Sequence, residues 1–533
     1  LTPPTPALAE TPYPSRRPPV HGDAMVATTQ PLAAQAGLWA LRQGGSAADA
    51  ALATAIALTV VEPTMNGIGS DAFAIVWDGE GLHGLNSSGR APSALTRARF
   101  DGLSRLPQRG WDVATVPGAV AAWRALSDRF GRLPFARLFE PAIEHARRGF
   151  LVSPAIARQW ANAVPNLKDL PGFAACFLPG GRAPGVGERF RSEAHATTLE
   201  RIAATGGDDF YHGDIAGRIA AFARDCGALM TEADLAAHTA DWVDPIAVRY
   251  RDASVHEIPP NGQGIAALMA LGILDALGVP PGGADDPATL HLQIEALKLA
   301  MADLYRHVSD PAHMRLPPAA LIDAAYLRRR AATIDPRRAG EATPGDPAGA
   351  STVYLCAADP SGMMVSYIQS NYMGFGSGVV IPGSGIALNN RGAFFTLEPG
   401  HPNEVAGGKR PLNTIIPGFL TRAGRPLAAF GVMGGTMQAQ GHLQMVARMV
   451  DHGQGPQTAL DAPRWRVADD NRSVTVEHEM PEATLAALAE RGHPVARSPL
   501  GSTEFGAGQI IARLEDGYVG GSESRRDGQV AAF

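Results

Sequence analysis

Cysteine, aromatic rings and charge are all scarce in this sequence, and each shortage excludes something. Three cysteines, Cys176, Cys226 and Cys356, are too few for a disulfide framework. Neither C-x-x-C nor H-E-x-x-H occurs, so the chain carries no dedicated zinc motif, and neither a metal nor an organic cofactor is implied. Aromatic residues are only 6% of the chain, so the core must be built from Ala, Leu, Val and Ile. There is no basic excess: the net charge is −6, without the positive footprint of a nucleic-acid binder. Long apolar runs are missing too. The most apolar stretch, 47–61, is broken by Asp49 and ends at Glu62-Pro63, too short to cross a bilayer, so no membrane partner is expected. No G-x-S-x-G surrounds any serine, and His291, His307 and His442 stand isolated, as structural or surface histidines do. The chain opens on Leu1 rather than Met, which implies trimming. With no export segment in view the expected compartment is the cytoplasm, although a trimmed export signal is compatible with this.

What is present reads as a large globular enzyme-sized chain. Hydrophobic residues are 45% of 533, which excludes disorder for the bulk. Gly (60) and Pro (43) are plentiful without a collagen period, so turns and close backbone approaches are frequent. Residues 1–20 read as a loose tail. Pro31 opens a helix that Gly44-Gly45 stops. Ser46 to Asp49 then resembles a capping box, starting a helix buried on most faces. Residues 100–330 look mostly helical, with the clearest period over 290–308. Residues 331–351, with three prolines and few apolar side chains, form an exposed loop of a length that is usually functional or processed.

After that loop the pattern turns to strands. Val353 to Ala358 is one, Asp359-Pro360-Ser361-Gly362 is a turn with each residue type where a turn needs it, and Met363 to Ser370 returns. A three-residue loop sets a register that places Thr352 opposite Ser370, with Cβ atoms ~4.5–5.5 Å apart. A Thr/Ser pair is ordinary in a sheet. Here, however, Thr352 is the first strand residue after that exposed loop. Cut before it, Thr352 carries a hydroxyl and a free α-amine, whose pKa of ~7.7–8.0 suits a base near neutrality. A third feature is a strand, Leu427 to Met433, running into Gly434-Gly435. Two glycines there can present N–H groups as an oxyanion hole requires, although such a pair is more often only a turn.

Together with ordered motifs over most of the chain, these features identify a resemblance. The stretches 44–51 (GGSAADAA), 61–63 (VEP), 66–69 (NGIG), 409–412 (KRPL), 434–435, 462–464 (APR) and 523–528 (ESRRDG) are similar to the signatures of the gamma-glutamyltranspeptidases. The resemblance implies an α+β fold, the four-layer αββα sandwich of the N-terminal-nucleophile hydrolases. It implies a precursor that cuts itself between Ser351 and Thr352 into a large subunit (21–351) and a small one (352–533), which stay together in one domain. A dimer of such pairs is compatible with this. By motif, the nucleophile falls on Thr352, the second hydroxyl on Ser370 and the oxyanion glycines on Gly434 and Gly435.

The departures from the family pattern concern substrate recognition. Where the family grips a glutamyl α-carboxylate with arginine, this chain has Ser88, with Arg90 two residues away. Phe394 stands in the place of the acid that holds the α-ammonium, and Arg391 replaces a neutral amide. Tyr372 replaces an asparagine, and Asn413-Thr414 a serine pair. An apolar ring cannot pair an ammonium, whereas Arg391 suits a carboxylate. The branch it looks most like includes oxamate amidohydrolases and glutaryl-type cephalosporin acylases. A short 395–409 segment leaves no lid, which favours hydrolysis over transfer. The expectation is an autoprocessing amidohydrolase of a small carboxylate-bearing amide. The alternatives are a γ-glutamyl transferase or glutathione hydrolase, and a non-catalytic scaffold.

Overall fold

The computed structural model describes residues 17–279, 282–342 and 351–533, Ser351 by its backbone alone. Two seven-stranded sheets organise the chain. The first runs Gln529–Ala532, Met25–Thr28, Ser351–Ala358, Met364–Tyr372, Asp71–Trp77, Leu82–Ser87, Asp241–Val243. The second runs Val20–Gly22, Tyr518–Ser522, Ala507–Arg513, Arg425–Met433, Gly418–Arg422, Ala253–Glu257, Ile246–Tyr250. Every pairing within both is antiparallel.

The sheets stack face to face. A Cβ on Gly431 of the second sheet would lie 2.4 Å from the Tyr354 ring of the first, so the missing side chain is what admits that ring. Helices Pro31–Arg42, Ala47–Val61 and Ala119–Phe130 cover the outer side of the first sheet; Gly264–Leu277 and Met437–Val450 cover the second. The result is the expected four-layer αββα arrangement.

Helix 47–61 shows how composition builds it. All fifteen residues are buried, and seven are alanine. Small side chains let its neighbour approach until a Cβ on Gly37 would meet Thr54 Oγ1 at 2.3 Å. The Ser46/Asp49 capping box forms as expected. Asp49 also accepts from the backbone N–H of Arg132 at 2.7 Å, so the cap that starts the helix pins a loop.

Two expectations are corrected and one is made more exact. Residues 100–330 are mostly helical, as expected, and three short strands among them join the two large sheets: Asp241–Val243 edges the first, and Ile246–Tyr250 edges the second beside Ala253–Glu257. At three to five residues they are too brief to show a period in the sequence. Of the tail 1–20, residues 1–16 lie outside the described residues, but Arg17 is not loose. Its guanidinium donates to the carbonyls of Glu523, Gly528 and Arg526. Of the loop 331–351, residues 343–350 lie outside the described residues. Its first part is anchored, with the Ala339 N–H on Arg491 O at 2.7 Å and the Gly340 N–H on Glu295 Oε2 at 2.8 Å.

Candidate functional site

The hairpin has the expected register, Val353 opposite Gln369 through Ala358 opposite Met364. Gly362 in its turn has φ +93°, the left-handed backbone that glycine alone takes without cost. At the open end the register slips, because Ser351 pairs with Tyr372. At this bulge Thr352 Oγ1 lies 3.0 Å from Ser370 Oγ, and both residues are fully buried. The Tyr372 N–H donates to Ser370 Oγ at 2.8 Å. That contact comes from a backbone bend, with Tyr372 at φ +78°, a conformation costing roughly 1–3 kcal/mol for a non-glycine residue.

Gly434 and Gly435 form the turn from strand Arg425–Met433 into helix Met437–Val450. Only glycine fits the first position: φ is +133° and a Cβ would stand 3.0 Å from Gly506 Cα. The Gly434 carbonyl accepts from Met437 N–H at 3.2 Å. In a trans peptide the N–H points opposite the carbonyl, so the Gly435 N–H is aimed away from the helix. Gln263 Nε2 donates to the carbonyls of Gly435 (2.7 Å) and Thr414 (2.6 Å), fixing the turn. The positive end of the helix dipole lies at the same place. A cleft lined by Met301, Tyr305, Gln440 and Asp469 reaches Thr436, the next residue.

Arg391 is wholly buried. Its Nε lies 3.3 Å from Asp71 Oδ2 and its Nη1 donates to Thr414 Oγ1 at 2.8 Å. Its Cζ lies 5.1 Å from the centre of the Tyr372 ring. Nη2 has no hydrogen-bond partner among the described residues. Asp71 accepts also from Asn413 Nδ2 at 3.1 Å and Gly89 N–H at 3.2 Å. Burial raises the Asp71 carboxyl, with Arg391 as the largest opposing influence. Burial likewise lowers Arg391, which Asp71 opposes, and raises the Tyr372 phenol, which stays neutral beside the guanidinium. Phe394 meets Tyr372 edge-on at 4.7 Å. These two rings, Arg391, Asn413 and Thr414 form one cradle.

The structure does not bring Arg90 into this cradle. Its side chain is 46% exposed and paired with Asp310 at 2.9 Å. Ser88 is buried in a supporting layer, its hydroxyl on Asn86 Oδ1 at 2.8 Å and its carbonyl accepting from Arg410. Two residues at the site had no part in the sequence argument. Asp71 opens an otherwise apolar strand, a buried acid that was a readable signal. Gln438, whose Nε2 lies 3.3 Å from Thr352 Oγ1, was marked only by following the glycine pair.

His291 and His442 are not isolated. His442 Nδ1 lies 2.5 Å from Glu257 Oε1, both fully buried. His291 Nδ1 is 2.8 Å from His493 Nε2, and with Glu295 they make the one group of metal-compatible spacing among the described residues. The Lys298 ammonium, 2.8 Å from Glu295 Oε1, already supplies the cation that carboxylate needs. His291 Nε2 faces the Asp335 carbonyl at 2.8 Å, so it carries the proton there and its Nδ1 accepts from His493. The group reads as a hydrogen-bonded clamp on residues 335–340.

The family model described as Gamma-glutamyltranspeptidase matches residues 33–533. The oxamate amidohydrolase proenzyme of Klebsiella pneumoniae is 36% identical over 529 residues, 96% of this chain and 98% of that one. The glutathione hydrolase-like YwrD proenzyme of Bacillus subtilis is 36% identical over 514 residues, covering 95% and 97%. The crystal structure of cephalosporin acylase from Bacillus halodurans superposes with a TM-score of 0.94 at 48% identity, over 98% of both chains. No helix among the described residues is long and apolar enough to cross a membrane.

Proposed function

Because the chain belongs to the gamma-glutamyltranspeptidase family and is an amide-hydrolysing enzyme of it, we propose that it is an N-terminal-threonine amidohydrolase acting on a small amide that carries a carboxylate. In this reading the precursor cuts itself between Ser351 and Thr352, and the two parts remain one fold. In turnover the Thr352 Oγ–H bond breaks as Oγ bonds to the substrate carbonyl carbon. The proton passes to the new α-amine, and the carbonyl electrons move onto oxygen, held by Gly434 and Gly435. Collapse expels the amine, which takes the proton, and leaves an ester on Thr352. Water then opens the ester and regenerates the hydroxyl.

The observation that carries the substrate class is Arg391. A buried guanidinium whose Nη2 has no partner among the described residues fits a substrate carboxylate through a charge-assisted bond. An α-ammonium is less well provided for: Phe394 is apolar, and the carboxylate beside Arg391, Asp71, already accepts from three donors. The relatives named for oxamate and for acylase activity support this class, and the glutathione hydrolase-like relative supports the γ-glutamyl alternative. The test is hydrolysis of oxamate, glutaryl 4-nitroanilide and γ-glutamyl 4-nitroanilide by the native enzyme and by Arg391→Met. We expect the first two to be preferred, and KM for the preferred one to rise at least ~10-fold in the variant, as loss of a charge-assisted bond implies. Preference for the γ-glutamyl anilide, or an unchanged KM, refutes the assignment.

A further inference from the structure

We propose that Gln438 is a positioning residue for the nucleophile: its side-chain amide donates to the Thr352 hydroxyl oxygen and stabilises it as its proton leaves. This rests on Thr352 being the nucleophile, as proposed above. The geometry orients the amide without ambiguity. Gln438 is fully buried, and its Oε1 accepts from the Ile416 N–H at 3.1 Å. A backbone N–H can only donate, so the oxygen must face Ile416 and the NH2 must face Thr352 Oγ1, 3.3 Å away. Together with the Tyr372 N–H on Ser370 Oγ, this leaves one fixed N–H donor on each oxygen of the hydroxyl pair.

Gln438 is the second residue of helix Met437–Val450, and its own N–H bonds to Gly435 O at 3.1 Å. The turn that presents the oxyanion glycines therefore also delivers the donor to the nucleophile, and the two cannot shift independently. As the Thr352 proton departs, negative charge grows on Oγ1 in a buried site. A neutral hydrogen bond becomes a charge-assisted one and strengthens.

Two variants separate this role from mere packing. Gln438→Met keeps the length but neither donates nor accepts. Gln438→Glu keeps the acceptor for Ile416, so the local fold is held, and it can donate to Thr352 only while protonated. A carboxyl buried there has a raised pKa. On glutaryl 4-nitroanilide we expect kcat of Gln438→Met to fall ~10–100-fold with KM within about twofold, the scale of one hydrogen bond to a charged group. For Gln438→Glu we expect kcat relative to the native enzyme to be depressed at pH 10 and to recover as the pH falls towards 6. A Gln438→Glu ratio that is flat with pH overturns the proposal, as does a folded Gln438→Met with native kcat. Thr352→Ala is run alongside. If it still turns over, the nucleophile assignment fails and this proposal with it. If it is inert while both Gln438 variants behave as native, only this proposal fails.

Discussion

The hairpin 351–372 and the Arg391 cradle lie side by side, yet the chain builds them in opposite ways. Thr352 and Ser370 are 18 residues apart, and one hairpin with a bulge at its open end brings them together. Arg391 and Asp71 are 320 residues apart, and Asn413 and Asp71 are 342. Their meeting depends on the first sheet, the loop after Asn390 and the segment after Pro411 all being in place. In the proposed mechanism the reacting groups are thus held by local geometry and the recognising groups by the whole fold, so that distant loops could alter the substrate while the proposed nucleophile stays where the hairpin puts it.

Breaking the local half should have the largest effect. Thr352→Ala is expected to leave a single uncut mass under denaturing conditions and turnover below ~10⁻⁴ of native, the scale for removing a nucleophile. Its unfolding temperature should stay near that of the uncut chain. Normal maturation in this variant would end the nucleophile assignment.

A perturbation of the long-range half should instead appear as instability. Asp71→Asn leaves Arg391 buried without its counter-charge, and loss of one partner of a buried pair costs about 3–5 kcal/mol. We expect a clear drop in the thermal unfolding midpoint. Replacing both partners, Asp71→Leu with Arg391→Met, should restore much of that stability while substrate binding stays lost. If Asp71→Asn is as stable as native, the cradle does not depend on the pair.

The smallest effect is expected just outside the cradle. Arg90→Ala removes a half-exposed ion pair with Asp310, a contact worth about 1 kcal/mol or less. KM and kcat should remain within about twofold of native. A large rise in KM would place Arg90 in substrate binding and redraw the boundary between the two regions.

Much of the fold was legible because its signals are short in range. The capping box at Ser46 and Asp49, the all-round apolar helix after it and the turn at Asp359 to Gly362 each need only neighbouring residues, and each stands as read. The strands between 241 and 257 were not legible: Ile246–Tyr250 and Ala253–Glu257 pair with each other, but an alternation over five residues is too short to stand out in a sequence, and the sheets they join are completed by distant segments, 82–87 and 418–422. Histidines 291 and 442 looked isolated for the same reason, since His493 and Glu257, which pair with them, are 202 and 185 residues away.

The sequence by itself determined the hairpin and its register from Val353 to Ala358, and so brought Thr352 near Ser370, because side-chain alternation and turn chemistry fix a β-pair locally; the bulge and the bend at Tyr372 set the final contact. It also determined that Gly434 and Gly435 could present bare N–H groups. Only the tertiary structure decided that Arg391 is buried against Asp71 with one nitrogen to spare, that Arg90 stands outside, and that Gln438 reaches the Thr352 hydroxyl. Those outcomes follow from which distant segments exclude water around a charge or an amide, and that exclusion is a property of the packed layers.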